Sequence, residues 1–279
     1  MRNCVLCLYY MSEVTGLYSP AEVAKNYIKI GVGKVSLKAG RMFLLGVMAG
    51  AFIAIGGIAS TVAGVGAPWP AIGKLLGAMV FPGGLAMVLL AGSELFTGNC
   101  LLVIPLIEKK INLKQLLKSW AIVYVGNLVG GILVAAAVVF SHTGDMFGGA
   151  VGTSIVSTAV AKCSLPFWDA VLKGILCNFL VCIAVWISFA AKTVGGKIAG
   201  IFFPIMMFVL CGFEHSVANM YYISAGLFQN ALNGGGADGA LNVGNYLGAN
   251  LLPVTIGNII GGALFVGVIY WVVYLKKKK

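Results

Sequence analysis

The chain has 279 residues, of which 60% are hydrophobic and only 10% charged. A soluble domain carries about 25% charged residues, so this surface does not face water in the ordinary way and the composition points to a polytopic membrane protein. It excludes a disordered chain, a coiled coil and a disulfide-rich secreted domain, and the net charge of +11 has an explanation in topology that needs no nucleic acid.

In chain order, residues 1–18 read as a partly disordered N-terminal extension without a cleavable signal peptide. Met11 opens a more conventional polar start, which makes residues 1–10 look dispensable. Cys4-x-x-Cys7 has redox or metal spacing, but no second pair completes a zinc site; no metal and no cofactor are expected. Ser19-Pro20 resembles an N-cap followed by proline at the first helical position, so 19–38 reads as an amphipathic interfacial helix. Apolar stretches then follow at 42–64, 71–107, 119–140, 165–191, 198–230 and 247–275, each at or above the ~20 residues that cross a bilayer. The third is read as a helix over 111–140. The second is interrupted near 93–98 and the fifth near 212–217. Residues 19–275 form one transmembrane channel domain of six helices on this reading, and 276–279 a basic cytoplasmic tail.

Lysines and arginines set the orientation. With six spans both termini share a side. All basic residues except Lys74, Lys162 and Lys173 fall on that side or its flanks. Both termini are therefore expected in the cytoplasm, in a multi-pass protein of the cell inner membrane whose standing partner is the lipid bilayer.

The halves resemble each other. Gly126-Asn127-Leu128-Val129-Gly130-Gly131 lays on Gly257-Asn258-Ile259-Ile260-Gly261-Gly262, and Gly92-x-Glu94 on Gly212-x-Glu214. Three spans per half is an odd number, so the halves have opposite orientations. The expected fold class is an all-α membrane protein, six helices in a 3+3 inverted repeat with broken second and fifth helices. Broken backbone is tolerated at membrane depth only where it is buried in protein or lines a cavity. The two breaks are thus expected to meet near the midplane, with half-helix N-termini that favour an anion.

His215 lies at the fifth-span break, where an ionisable residue marks function by default and a histidine titrates near physiological pH. Thr97 in the other break is placed to bond His215 or a substrate oxygen. Glu94 and Glu214 are read as structural acids accepting backbone N–H groups freed by the breaks, ahead of direct substrate contact. Phe81, Leu85 and Phe208 form either core packing or an apolar constriction. No phosphate loop, His-Glu-x-x-His or serine nucleophile motif is present, so no enzyme is expected.

These residues carry a resemblance. Glu94-Leu95-Phe96-Thr97, Ala161-Lys162, Asn178, Gly212-Phe213-Glu214-His215-x-Val217-Ala218-Asn219-Met220 and Pro253-Val254-Thr255-Ile256-Gly257-Asn258 make the chain similar to the formate/nitrite transporters, from about residue 20 to the tail. The resemblance implies an aquaporin-like fold, a homopentamer with one pore per protomer, and passage of small monovalent weak-acid anions: hydrosulfide, formate or nitrite. It leans towards hydrosulfide, with formate close behind. It implies a pore centre at His215 and Thr97, a cytoplasmic constriction at Phe81, Leu85 and Phe208, and an outer constriction at Phe96 and Val181. It also implies an external-vestibule lysine at Lys162 and a pore-side asparagine at Asn178. Two mechanisms stay open: His215 protonates the anion, or only polarises its site. A pore-closed sensor or scaffold and a nonspecific solute facilitator are the competing readings.

Overall fold

A computed structural model describes residues 16–237 and 239–276. The Cys4–Cys7 spacing, most of the N-terminal extension and the last three lysines of the tail lie outside the described residues.

Helix α1 (Pro20–Val35) starts where Ser19 and Pro20 signal a start. The Ser19 hydroxyl accepts the Glu22 N–H, and the Glu22 carboxylate accepts the Ser19 N–H at 2.7 Å. This reciprocal capping box satisfies two otherwise unpaired donors. Lys25 and Lys29 are exposed while Val23, Ala24, Tyr27 and Gly31 are buried. The buried face rests on protein: a Cβ on Gly31 would come within 2.7 Å of the Pro105 ring.

The chain continues through α2 (Ala39–Gly64), α3 (Pro70–Leu90), α4 (Gly98–Ile107), α5 (Leu113–Phe140), α6 (Ala150–Cys163), α7 (Phe167–Ala190), α8 (Val194–Leu210), α9 (Ser216–Leu232) and α10 (Val243–Tyr274). Helices α2, α3, α5, α7 and α10 are long and apolar enough to cross a membrane; α4, α6 and α8 are apolar but shorter. The protein is therefore an all-helical, multi-pass membrane protein, and the described residues hold no strand beyond one isolated bridge between Leu17 and Ala191.

Glycine seams join the helices. A Cβ on Gly46 would meet the Val123 carbonyl at 3.1 Å, and one on Gly50 would run into the backbone of Asn127, so α2 and α5 touch backbone to backbone. Helices α7 and α10 repeat the arrangement: a Cβ on Gly174 would lie 2.8 Å from the Val254 carbonyl, and one on Gly261 would collide with that of Ile175. With lipid outside there is no hydrophobic drive between helices, so close dispersion contact is what small residues provide.

Helix α6 was not anticipated. Its buried residues Val151, Ile155, Ala159 and Cys163 recur every fourth position on one face. The opposite face carries Thr153, Ser154, Ser157 and Thr158, which dilute the hydropathy of the segment.

Candidate functional site

The chain leaves the helix between α3 and α4, and again between α8 and α9. Gly92 and Gly212 turn it there with φ of 79° and 68°, in the left-handed region that glycine adopts without steric cost. Every polar group exposed by these turns needs a partner at this depth. Glu94 N–H donates to the Leu45 carbonyl at 3.2 Å, and Glu214 N–H to that of Lys173 at 3.3 Å. Phe96 N–H donates to Asn127 Oδ1 and Ser216 N–H to Asn258 Oδ1, both at 2.9 Å.

The acids do something other than expected. Among the described residues neither carboxylate accepts a freed backbone N–H; those of Phe96 and Ser216 go to the two asparagines. The Glu94 carboxylate binds Lys34 Nζ through both oxygens at 3.0 Å and Asn99 Nδ2 at 2.8 Å. Glu214 likewise binds Lys162 Nζ at 2.9 and 3.0 Å and Asn219 Nδ2 at 2.6 Å. A buried carboxylate persists where a cation and hydrogen bonds compensate its lost hydration. Lys162 is thus an ion-pair partner of the second acid.

Between the breaks, Thr97 Oγ1 and His215 Nε2 lie 2.9 Å apart, with Thr97 0% and His215 3% exposed. His215 also caps α9: its Nδ1 accepts the Ala218 N–H at 3.0 Å. A backbone N–H only donates, so Nδ1 carries no proton in this arrangement. The neutral ring then holds its proton on Nε2 and donates it to Thr97. Asn178, expected along the pore, braces the loop, donating to the carbonyls of Thr97 at 3.2 Å and Asn258 at 2.6 Å.

The Phe208 ring stacks on His215 at 5.8 Å and meets Phe81 edge-on at 5.5 Å. Phe81, Phe208 and His215 line a cavity of about 500 Å³ that also reaches Lys162. Leu85, one turn beyond Phe81, instead lines a smaller cavity of about 30 Å³ with Tyr27 and Lys34. Leu85 packs in the same buried cluster as Phe81 and Phe208, while those two rings line the cavity that Lys162 also lines. Phe96 packs edge-on against Tyr124 and Trp120 at 4.9 and 5.9 Å; like the buried Val181 it lines neither cavity.

Asn127 and Asn258 were overlooked as site residues. Their signal was present: both sit in the matched Gly-Asn stretches, and a polar amide inside an apolar span needs partners.

Two broken helices joined by buried polar side chains in an all-helical membrane protein define a membrane transport protein. The comparisons give the particular kind. The chain belongs to the formate/nitrite transporter family, which it matches over residues 21–272; this is a family of transporters and channels, not of enzymes. It is 40% identical over 264 residues to the uncharacterized transporter YrhG of Bacillus subtilis (strain 168), covering 93% of this chain and 95% of the relative. It is 37% identical over 273 residues to the formate channel FocA of Escherichia coli (strain K12), covering 94% of this chain and 96% of the relative. A solved pentameric formate channel with formate bound superposes with a TM-score of 0.75 at 34% identity, covering 85% of this chain and 98% of that one.

Proposed function

We propose that the protein is a formate channel that passes the anion between the two helix breaks at His215 and Thr97. The observation that carries this reading is the His215–Thr97 contact, which joins the two breaks through their buried polar side chains. Relatives that carry the names formate channel and formate transporter shift the preference from hydrosulfide to formate; nitrite and hydrosulfide are further substrates of the same chemical class.

On this reading the six spans are α2, α3 with α4, α5, α7, α8 with α9, and α10, three per half in opposite orientation. The paired bonds at the two breaks support that repeat, and residues 19–275 act as one aquaporin-like channel domain. Both termini lie in the cytoplasm, as the lysine distribution favours. The protein assembles as a homopentamer, in line with the pentameric formate channel it resembles.

The two cavities support a different grouping of the rings. Phe81 and Phe208 form the outer constriction, beside Lys162. Leu85 belongs to the inner one, beside Lys34. Phe96 and Val181 pack behind it. An apolar ring resists a bare ion because desolvating it is expensive. Between the rings the anion meets hydrogen-bond donors. His215 Nε2 donates to the Thr97 oxygen, which leaves the Thr97 O–H free to donate to formate.

This geometry favours polarisation over proton storage. A second proton on His215 would go to Nδ1, where it would break the bond to Ala218 N–H and place a cation at the positive end of α9. Formate accordingly crosses with its charge. The test is flux of formate, nitrite, hydrosulfide and chloride into proteoliposomes. Rapid formate entry with little chloride entry supports the reading; equal entry of all solutes identifies a nonspecific facilitator, and no entry a closed scaffold.

A further inference from the structure

The charge pattern leaves Lys74, Lys162 and Lys173 away from the cytoplasmic side, and all three line the same 500 Å³ cavity. Their situations differ. Lys162 is bound by both oxygens of Glu214. Among the described residues Glu214 is the only carboxylate on the cavity wall, and Asn219 also holds it. Among the described residues neither Lys74 nor Lys173 makes an ion pair. The cavity wall thus includes two further lysines outside the Lys162–Glu214 ion pair. The hydroxyl-bearing Ser154 and Thr158 lie on its wall too.

Its size exceeds what the proposed substrate needs. Small-molecule sites run from roughly 300 to 1,000 Å³, and a formate ion fills a minor part of this one. The Phe81–Phe208 pair, 2% and 4% exposed, lines it. A doubly charged ion meets a far higher barrier there than a monovalent one, because the Born cost of desolvation grows with the square of the charge. Two lysines and nearby hydroxyls match a compact dianion by charge and by hydrogen-bond donors.

We infer that the outer cavity is a binding site for a tetrahedral dianion, of the sulfate or hydrogen phosphate class, held between Lys74 and Lys173, which blocks formate entry without itself passing. The inference rests on the reading of the protein as a formate channel. It makes the cavity a site of inhibition as well as an entrance.

The test measures formate flux into proteoliposomes with sulfate outside, against chloride at matched ionic strength, and radiolabelled sulfate binding to the purified protein. The wild type is compared with Lys74→Gln/Lys173→Gln. Sulfate is expected to inhibit saturably, and the double variant to need at least about tenfold more sulfate for half-inhibition, with a matching loss of bound label. A wild type that conducts formate but ignores sulfate overturns the inference, as does equal inhibition and binding in both proteins. A wild type that conducts no formate overturns the channel reading instead; sulfate binding lost in the double variant then still upholds the site, and binding that is absent or unchanged rejects it.

Discussion

Asn127 and Asn258 make the same hydrogen bonds at two separate helix breaks. Each Oδ1 accepts one backbone N–H, from Phe96 and Ser216 respectively. Each Nδ2 donates to two backbone carbonyls: Asn127 to Gly46 and Glu94 at 2.8 and 2.9 Å, Asn258 to Gly174 and Glu214 at 2.9 and 3.0 Å. One side chain thereby satisfies three backbone groups of, or beside, an unwound segment.

Asn258→Ala is predicted to leave Ser216 N–H and two carbonyls without these bonds, at about 1–3 kcal/mol for each group left unsatisfied. The melting temperature of the purified protein in detergent should fall clearly, and Asn127→Ala should behave alike. An unchanged melting temperature in either variant would show that the breaks find other partners.

The ion pairs should behave as coupled units. The Lys34 side chain is 20% and that of Glu94 7% exposed. Lys34→Met leaves Glu94 charged and poorly solvated, a change that costs about 3–5 kcal/mol for a fully buried pair and less at this exposure. Lys34→Met/Glu94→Gln should recover most of the loss. A double-mutant cycle on melting temperature checks this, and strictly additive single effects would contradict it.

The glycine seams give a paired prediction. Gly50→Ala should destabilise the protein or block its folding, because the new methyl enters the backbone of Asn127. Gly33→Ala on α1 meets nothing within 4 Å and should be neutral or stabilising by about 0.5–1 kcal/mol. Detergent melting curves of the two variants decide; equal effects would refute the close approach.

The α1 cap carries a pH dependence. Hydrogen bonds from the Ser19 backbone and hydroxyl, in that order, hold the Glu22 carboxyl below its ordinary value of 4.5. A depressed folded value means the stabilising contribution is present above the ordinary value and lost as pH falls through the folded one. Amide exchange at the start of α1 should speed up below about pH 4.5, and Glu22→Gln should remove that pH dependence. Exchange that stays pH-independent in the wild type, once intrinsic rates are removed, would contradict the cap.

Much of the fold was legible because membranes impose simple rules. Hydropathy located the long apolar segments. Gly92 and Gly212, each followed two residues later by a glutamate, marked where the chain leaves the helix. Ser19-Pro20 marked the start of α1. Helix α6 was illegible because its polar face is rich in threonine and serine and its length falls short of a span. At the site, the meeting of Thr97 with His215 was anticipated from the breaks alone. The partners of Glu94 and Glu214 were not: Lys34 and Lys162 lie 60 and 52 residues away, and nothing local in sequence reports such a pairing. Leu85 and Phe81 share one buried cluster yet line different cavities, which helical spacing alone does not report.

The most direct test of the account is formate flux through His215→Asn. Asparagine is a good N-cap, so the variant keeps a partner for Ala218 N–H, while its shorter side chain no longer reaches Thr97. The variant is expected to keep the wild-type melting temperature and to pass formate at least about tenfold more slowly, the scale of one lost hydrogen bond to a charged partner. Wild-type flux in a folded His215→Asn protein would contradict it, and would assign His215 to capping α9 alone.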